Sequence, residues 1–272
     1  MRNPKRIVED QLKKQLAITL SLLFGLCVIS AAAFAQNSKA TADISTLVGC
    51  TIDNAASGET TPTMTCTDVF GGSPVAETND NFVTIMSTPV KLSASQSLFV
   101  SPSLVTGLYT DTKTTGSGST TASTAVAEGG VFLRAVLKDT GGNVIQIGSP
   151  VSACTDDILG CHNTGSGVYG VTLDSRVQTL NSLLSSCLTT SGPTVDCNTS
   201  EFVQLVLNTT SAHTFNFIFP NVGQGQYVME IQAAVNSDAS VTSGKGTSVA
   251  AAAFGLGSVT VETVRLVHDF SF

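Results

Sequence analysis

The chain has no tryptophan and three tyrosines in 272 residues, and charged residues make up only 12% of it. Sugar-binding faces stack their ligand on Trp or Tyr, whose rings combine an apolar body with a polar tip. The scarcity of both counts against a stacking platform, although short ligands can be held by hydrogen bonds or through calcium. No Gly-x-Ser-x-Gly turn is present, which removes the nucleophile elbow of an α/β-hydrolase. No Cys-x-x-Cys pair and no Cys/His group at zinc spacing occurs either. Nothing repeats at a fixed period, which argues against a β-helix, a propeller or tandem modules. Gly244-Lys245-Gly246-Thr247-Ser248 carries Gly246 where a phosphate loop needs Ser or Thr after its Lys, and reads as a connection.

Charge is absent from Leu16 to Ala35, directly after a stretch holding Arg2, Lys5, Arg6, Lys13 and Lys14. A basic start, an apolar run and the small residues of Ala33-Phe34-Ala35 have the form of a secretory signal peptide, residues 1–35, with cleavage before Gln36. Leu26 precedes Cys27 where a lipobox needs a small residue, so lipidation is not expected. Removal of 1–35 takes five of the thirteen Lys and Arg and two of the twenty Asp and Glu, leaving 8 − 18 = −10. A chain this acidic lacks the footprint of a nucleic-acid binder and is repelled by anionic lipid. No membrane span is expected after signal cleavage, and the localisation implied is secreted or cell surface.

Seven cysteines become six when Cys27 leaves, and an even number in an exported chain is read as a disulfide framework. Proximity favours Cys50 with Cys66, Cys154 with Cys161 and Cys187 with Cys197. The weak metal candidates are carboxylates on loops, Asp156 and Asp157 between Cys154 and Cys161, and Asp80 within Asn79-Asp80-Asn81. Hard oxygens on loops suit calcium, but no EF-hand pattern is present, and no other cofactor is expected.

Strand-length apolar runs recur from Phe82 onward. Val131 to Lys138 and Val144 to Ile147 flank Asp139-Thr140-Gly141-Gly142-Asn143, the signature of a β-hairpin. A second hairpin is expected from Thr214–Val222, with Phe215, Phe217 and Phe219 on one face, and Tyr227–Val235. Thr112 to Ala127 has too little apolar content to pack and reads as an exposed loop. Ser175 with Gln178 has capping-box spacing, and Val177, Leu180 and Leu184 follow at helical intervals, so a helix is expected to about Ser186. Ser200 to Leu207 suits a short helix or a buried strand. Val249–Phe254, a bend at Gly255–Gly257 and a central last strand Ser258–His268 end the pattern.

Together these predict an all-β fold: a two-sheet, jelly-roll-like sandwich with one or two short helical insertions, stapled by disulfides. The expected organisation is a signal peptide (1–35), an N-terminal extension with a disulfide loop (36–80) and the β-sandwich (81–272). A membrane β-barrel is the rival, suggested by Phe270 and Phe272 and opposed by the cysteines and the missing aromatic girdles.

His162, His213 and His268 are scattered, and Glu128, Glu201, Glu230 and Glu262 single out no glycosidase pair, so no catalytic residue is assigned and no enzyme is expected. The segment Phe215–Val235 followed by Gly257-Ser258-Val259-Thr260-Val261-Glu262 resembles the final strands of jelly-roll head domains of the TNF and C1q type. That resemblance implies a self-associating, commonly trimeric extracellular domain without an active site. The expected function is a secreted structural or adhesive surface protein whose partner is a second copy or an extracellular ligand. A carbohydrate- or ligand-binding module is the alternative, and a secreted hydrolase a more distant one.

Overall fold

Alternation of inward and outward side chains runs through most of the chain, and in the computed structural model it produces strands almost throughout. Described are residues 40–71, 76–77, 81–116, 122–155, 160–165, 167–183 and 201–265. In chain order the strands are β1 (Ala40–Ser45), β2 (Gly49–Ser57), β3 (Ala76–Glu77), β4 (Val83–Leu92), β5 (Gln96–Thr115), β6 (Ser123–Asp139) and β7 (Val144–Ile147). They continue with β8 (Cys161–Asn163), β9 (Tyr169–Ser182), β10 (Phe202–Thr214), β11 (Phe217–Val222), β12 (Gly225–Ser243) and β13 (Lys245–Val264). A five-residue helix, α1 (Cys66–Phe70), follows β2, opened by a reciprocal capping box between Thr65 and Asp68.

The first sheet runs β10–β5–β13–β2–β3, and the second β4–β12–β6–β9–β8. Three shorter strands extend neighbours end to end: β1 prolongs β2 along β13, β11 prolongs β10 along β5, and β7 prolongs β9 along β6. Taking each end-to-end pair as one strand and setting aside the short β3 and β8, the facing orders are 1-8-3-6 and 2-7-4-5, the order of a jelly roll. The chain is thus a disulfide-stapled β-sandwich of the expected class. The stretch 40–57 contributes β1 and β2 to the first sheet.

Cys50–Cys66 and Cys154–Cys161 are disulfides, while Cys187 and Cys197 lie outside the described residues. Structural disulfides of this kind mark an extracytoplasmic protein. Cys50–Cys66 draws α1 over the outer face of the first sheet, where the Phe70 ring lies so close to Gly107 that a β-carbon there would collide with it. Among the described residues no helix is long and apolar enough to cross a membrane.

Several local expectations are corrected. The β6–β7 hairpin forms, with Asp139 accepting from the amides of Gly141 and Asn143. The second hairpin does not: β11 pairs with β5 in one sheet and β12 with β4 and β6 in the other. Two neighbouring alternating runs are ambiguous between pairing and crossing over, and here the chain crosses over.

The expected helix from Ser175 is strand β9. A bulge at Leu173 in the pairing with β6 shifts which residues point inward, so Gln178 is buried while Val177 is 62% exposed. The expected exposed loop Thr112–Ala127 is strand up to Thr115 and again from Ser123. The bend at Gly255–Gly257 is a bulge within one central strand, β13, flanked by β5 and by β1 and β2. The segment with two open readings, Ser200–Leu207, falls largely in strand β10, which is exposed rather than buried.

The space between the sheets changes along its length. Inward positions of β5 read Leu98, Val100, Leu104, then Thr106, Leu108, Thr110, Thr112 and Thr114. Inward positions of β6 run oppositely, from Ser123, Ala125 and Ala127 to Val131, Leu133 and Leu137. One end is therefore filled by large apolar groups, with Phe217, Phe219, Met229 and Ile231 fully buried, and the other by threonine, serine and alanine.

Candidate functional site

The Thr-rich end is bound together by side chains reaching across the sandwich from β9 to β5. Gln178 accepts from Thr110 Oγ1 at 2.8 Å and donates from Nε2 to Thr112 Oγ1 and to the Leu205 carbonyl, each at 2.7 Å. Ser182 meets Thr114 at 2.5 Å, and Arg176 donates to the Leu108 carbonyl and to Thr209. Buried hydroxyls and amides are costly unless satisfied, and these satisfy one another.

At the next position along the seam, Asp174 gathers a cluster with the composition of a hydrolase triad. Thr106 Oγ1 donates to Asp174 Oδ2 at 2.6 Å, and Ser211 Oγ lies 3.4 Å from the same oxygen. His213 Nε2 is 2.7 Å from Ser211 Oγ and 3.3 Å from Asp174 Oδ2. A triad needs the carboxylate on one ring nitrogen and the nucleophile on the other, so that a proton taken from the serine is held on an oriented imidazole. Here hydroxyl and carboxylate share Nε2, so the cluster ties β10 to β9 and offers no relay through the ring.

A second polar group covers the outer face of the second sheet. Arg134 Nε donates to Gln232 Oε1 at 2.7 Å, Gln232 donates to Glu230 at 2.9 Å, and Lys138 pairs with Glu230 at 2.8 Å. Burial pushes the Glu230 carboxyl up, but hydrogen bonds from Lys138, Gln232 and Thr84 and the Lys138 charge outweigh it and hold the group below its ordinary range. Burial lowers Arg134, against the opposing charge of Glu230. The guanidinium also lies over the Phe82 ring, 4.7 Å from its centroid.

Of the residues singled out in the sequence, Asp156, Asp157 and Asp80 lie outside the described residues, as does His268. His162 is on β8 with its ring stacked on Phe132 at 3.5 Å. Among the described residues no group of three or more His, Cys, Asp or Glu could hold a metal ion. The sequence reading missed Asp174, Thr106 and Ser211, which come together only because β5, β9 and β10 are neighbours. It also missed two carboxylates at open edges: Asp43 accepts from the Ser87 amide of β4 at 2.8 Å, and Asp53 from the Ala239 amide of β12 at 2.9 Å.

The edge left without such a guard is β10. It pairs with β5 over thirteen consecutive residues with no bulge, and among the described residues no strand pairs with its other side. Its Phe202 is 57% exposed, and Val203, Leu205, Val206 and Leu207 are exposed as well. Val203, Leu205 and Leu207 sit in register with the buried Thr114, Thr112 and Thr110, but at a margin where the second sheet does not cover them.

No protein-family model matches the chain, and no curated protein matches it in sequence. Among solved structures, a CocE/NonD-family hydrolase from Staphylococcus aureus aligns over 84% of this chain and 37% of that one, at 9% identity and a TM-score of 0.21. An infectious bursal disease virus structure, Gt strain, aligns over 85% of this chain and 43% of that one, at 11% identity and a TM-score of 0.17. The chain thus spans less than half the length of these structures, and likenesses this slight assign it no activity.

Proposed function

We propose that the protein is an exported structural or adhesive component of the cell surface, built on a jelly roll that assembles with copies of itself. The observation that carries the reading is the long apolar edge of β10, a surface that a monomer gains nothing by exposing. Export is supported by the two disulfides and by the form of residues 1–35. The two polar clusters favour a scaffold over a catalyst, because their groups bond mainly to one another.

Light scattering on the size-separated, oxidised protein tests the assembly half of the proposal. Particles larger than one chain are expected, and a strict monomer at every concentration would remove self-assembly. Sequencing the N-terminus of protein recovered outside the cytoplasm tests the export half, with Gln36 expected first.

A further inference from the structure

We infer that β10 is the contact itself: two copies meet edge to edge through β10, antiparallel across a two-fold axis, so that the first sheets of both join into one. This rests on the self-assembly reading above and specifies the surface and partner for it. An isologous contact pairs residue i with residue j and j with i, so with the whole strand paired the middle residue, Asn208, meets its own copy and the two ends of the strand meet each other.

Charge is the first argument for a second copy as occupant. A two-fold axis doubles whatever charge an edge carries, and a mature chain of formal charge −10 repels itself wherever carboxylates meet. From Phe202 to Thr214 no Asp, Glu, Lys or Arg occurs. Glu201 stands exposed just before the strand, and on the outer face the Asp111 carboxylate is held by the Gln204 side-chain amide at 2.9 Å while Lys113 lies over the Phe202 ring.

Selectivity among edges is the second argument. The edge of β4 has Pro89, which lacks an N–H, and the Asp43 carboxylate on Ser87. The uncovered half of β12 has Asp53, while β3, β7 and β8 are only two, four and three residues long. Short strands, proline and inward-turned carboxylates are how sheets prevent edge pairing, and β10 has none of them. Among the described residues its thirteen form the longest open edge, longer than the part of β9 beyond its pairing with β8, which carries Asp174 and Arg176.

The backbone is the third argument. Thirteen residues at about 3.3 Å each, on the edge of one sheet about 10 Å deep, present on the order of 430 Å², about half of what a stable pair needs from each partner, so the contact is a concentration-dependent one carried by main-chain hydrogen bonds. Backbone hydrogen bonds along the joined strands supply affinity, and the exposed Phe202, Val206 and Leu207 supply apolar burial.

Sedimentation velocity over a wide concentration range, on the purified and oxidised protein, tests the assignment. Asn208→Lys and, separately, Asn208→Glu put like charges across the axis at the middle residue of the strand, an exposed position where the fold itself tolerates change. Each variant is expected to weaken self-association at least tenfold, and an equimolar mixture of the two to restore it. Val177→Lys, at an exposed site on β9, should leave association unchanged. If the unmodified chain associates but both Asn208 variants associate equally well, the β10 assignment falls while self-assembly stands. A strict monomer before any substitution overturns both.

Discussion

The two ends of the sandwich are held by different physics. At the end around Phe217, Phe219, Leu133 and Leu137, large side chains from both sheets exclude water and one another's voids, and cohesion follows buried apolar area. At the end around Thr110, Thr112, Thr114, Ser248 and Ala250, the filling is small, and cohesion comes from hydroxyls and amides bonded across the gap. The apolar groups missing from between the sheets at this end are found beside it, on β10. That distribution of hydrophobic side chains, small inside and large along an open edge, is what motivates the proposal that the edge is completed from outside.

The contrast predicts unequal responses to mutation. Phe219→Ala, in the apolar half, should cost about 3–5 kcal/mol in chemical unfolding, because a fully buried ring leaves a cavity the sheets cannot close. A cost similar to that of an exposed site would mean that the packing is not what holds this half.

In the polar half the expectation is smaller and has a distinct signature. Gln178→Ala should cost about 2–3 kcal/mol by leaving Thr110, Thr112 and the Leu205 carbonyl without their partner. Replacing the group together, as Gln178→Leu with Thr110→Val and Thr112→Val, should recover most of that loss, since only the Leu205 carbonyl is then left without its partner. A triple variant worse than Gln178→Ala would show that the hydrogen bonds contribute more than mutual satisfaction.

The smallest effect belongs to the outer face, away from both halves. Because the folded Glu230 carboxyl is held below its ordinary range, its contribution is present at neutral pH and is lost as pH falls through its folded-state value. Glu230→Gln should therefore lower stability by about 0.5–1 kcal/mol near neutrality and converge on the unmodified chain in acid. Unfolding midpoints measured across that pH range check it, and parallel curves at all pH values would contradict the assignment.

The same contrast explains what could be read from the sequence. Strands of the apolar half were legible because period-two runs such as Val131–Lys138 mark a buried face directly, and with them the all-β sandwich class. The polar half was not: Thr112 and Thr114 look like loop residues until Gln178 and Ser182 are placed opposite them. The β9 segment read as a helix because its bulge turns Asp174, Arg176 and Gln178 inward and Val177 outward, so its apolar spacing does not follow the buried face. The Asp174 cluster joins residues more than thirty positions apart in the chain, and no local pattern carries that signal.

The proposed completion of the β10 edge by a second copy is open to amide hydrogen exchange followed by mass spectrometry at low and high protein concentration. Peptides covering 202–214 should exchange markedly more slowly at the high concentration, while those from β4, β8 and the β6–β7 hairpin keep one rate at both. Exchange in β10 that is independent of concentration in a protein that associates, or protection that builds instead on another edge, would contradict it.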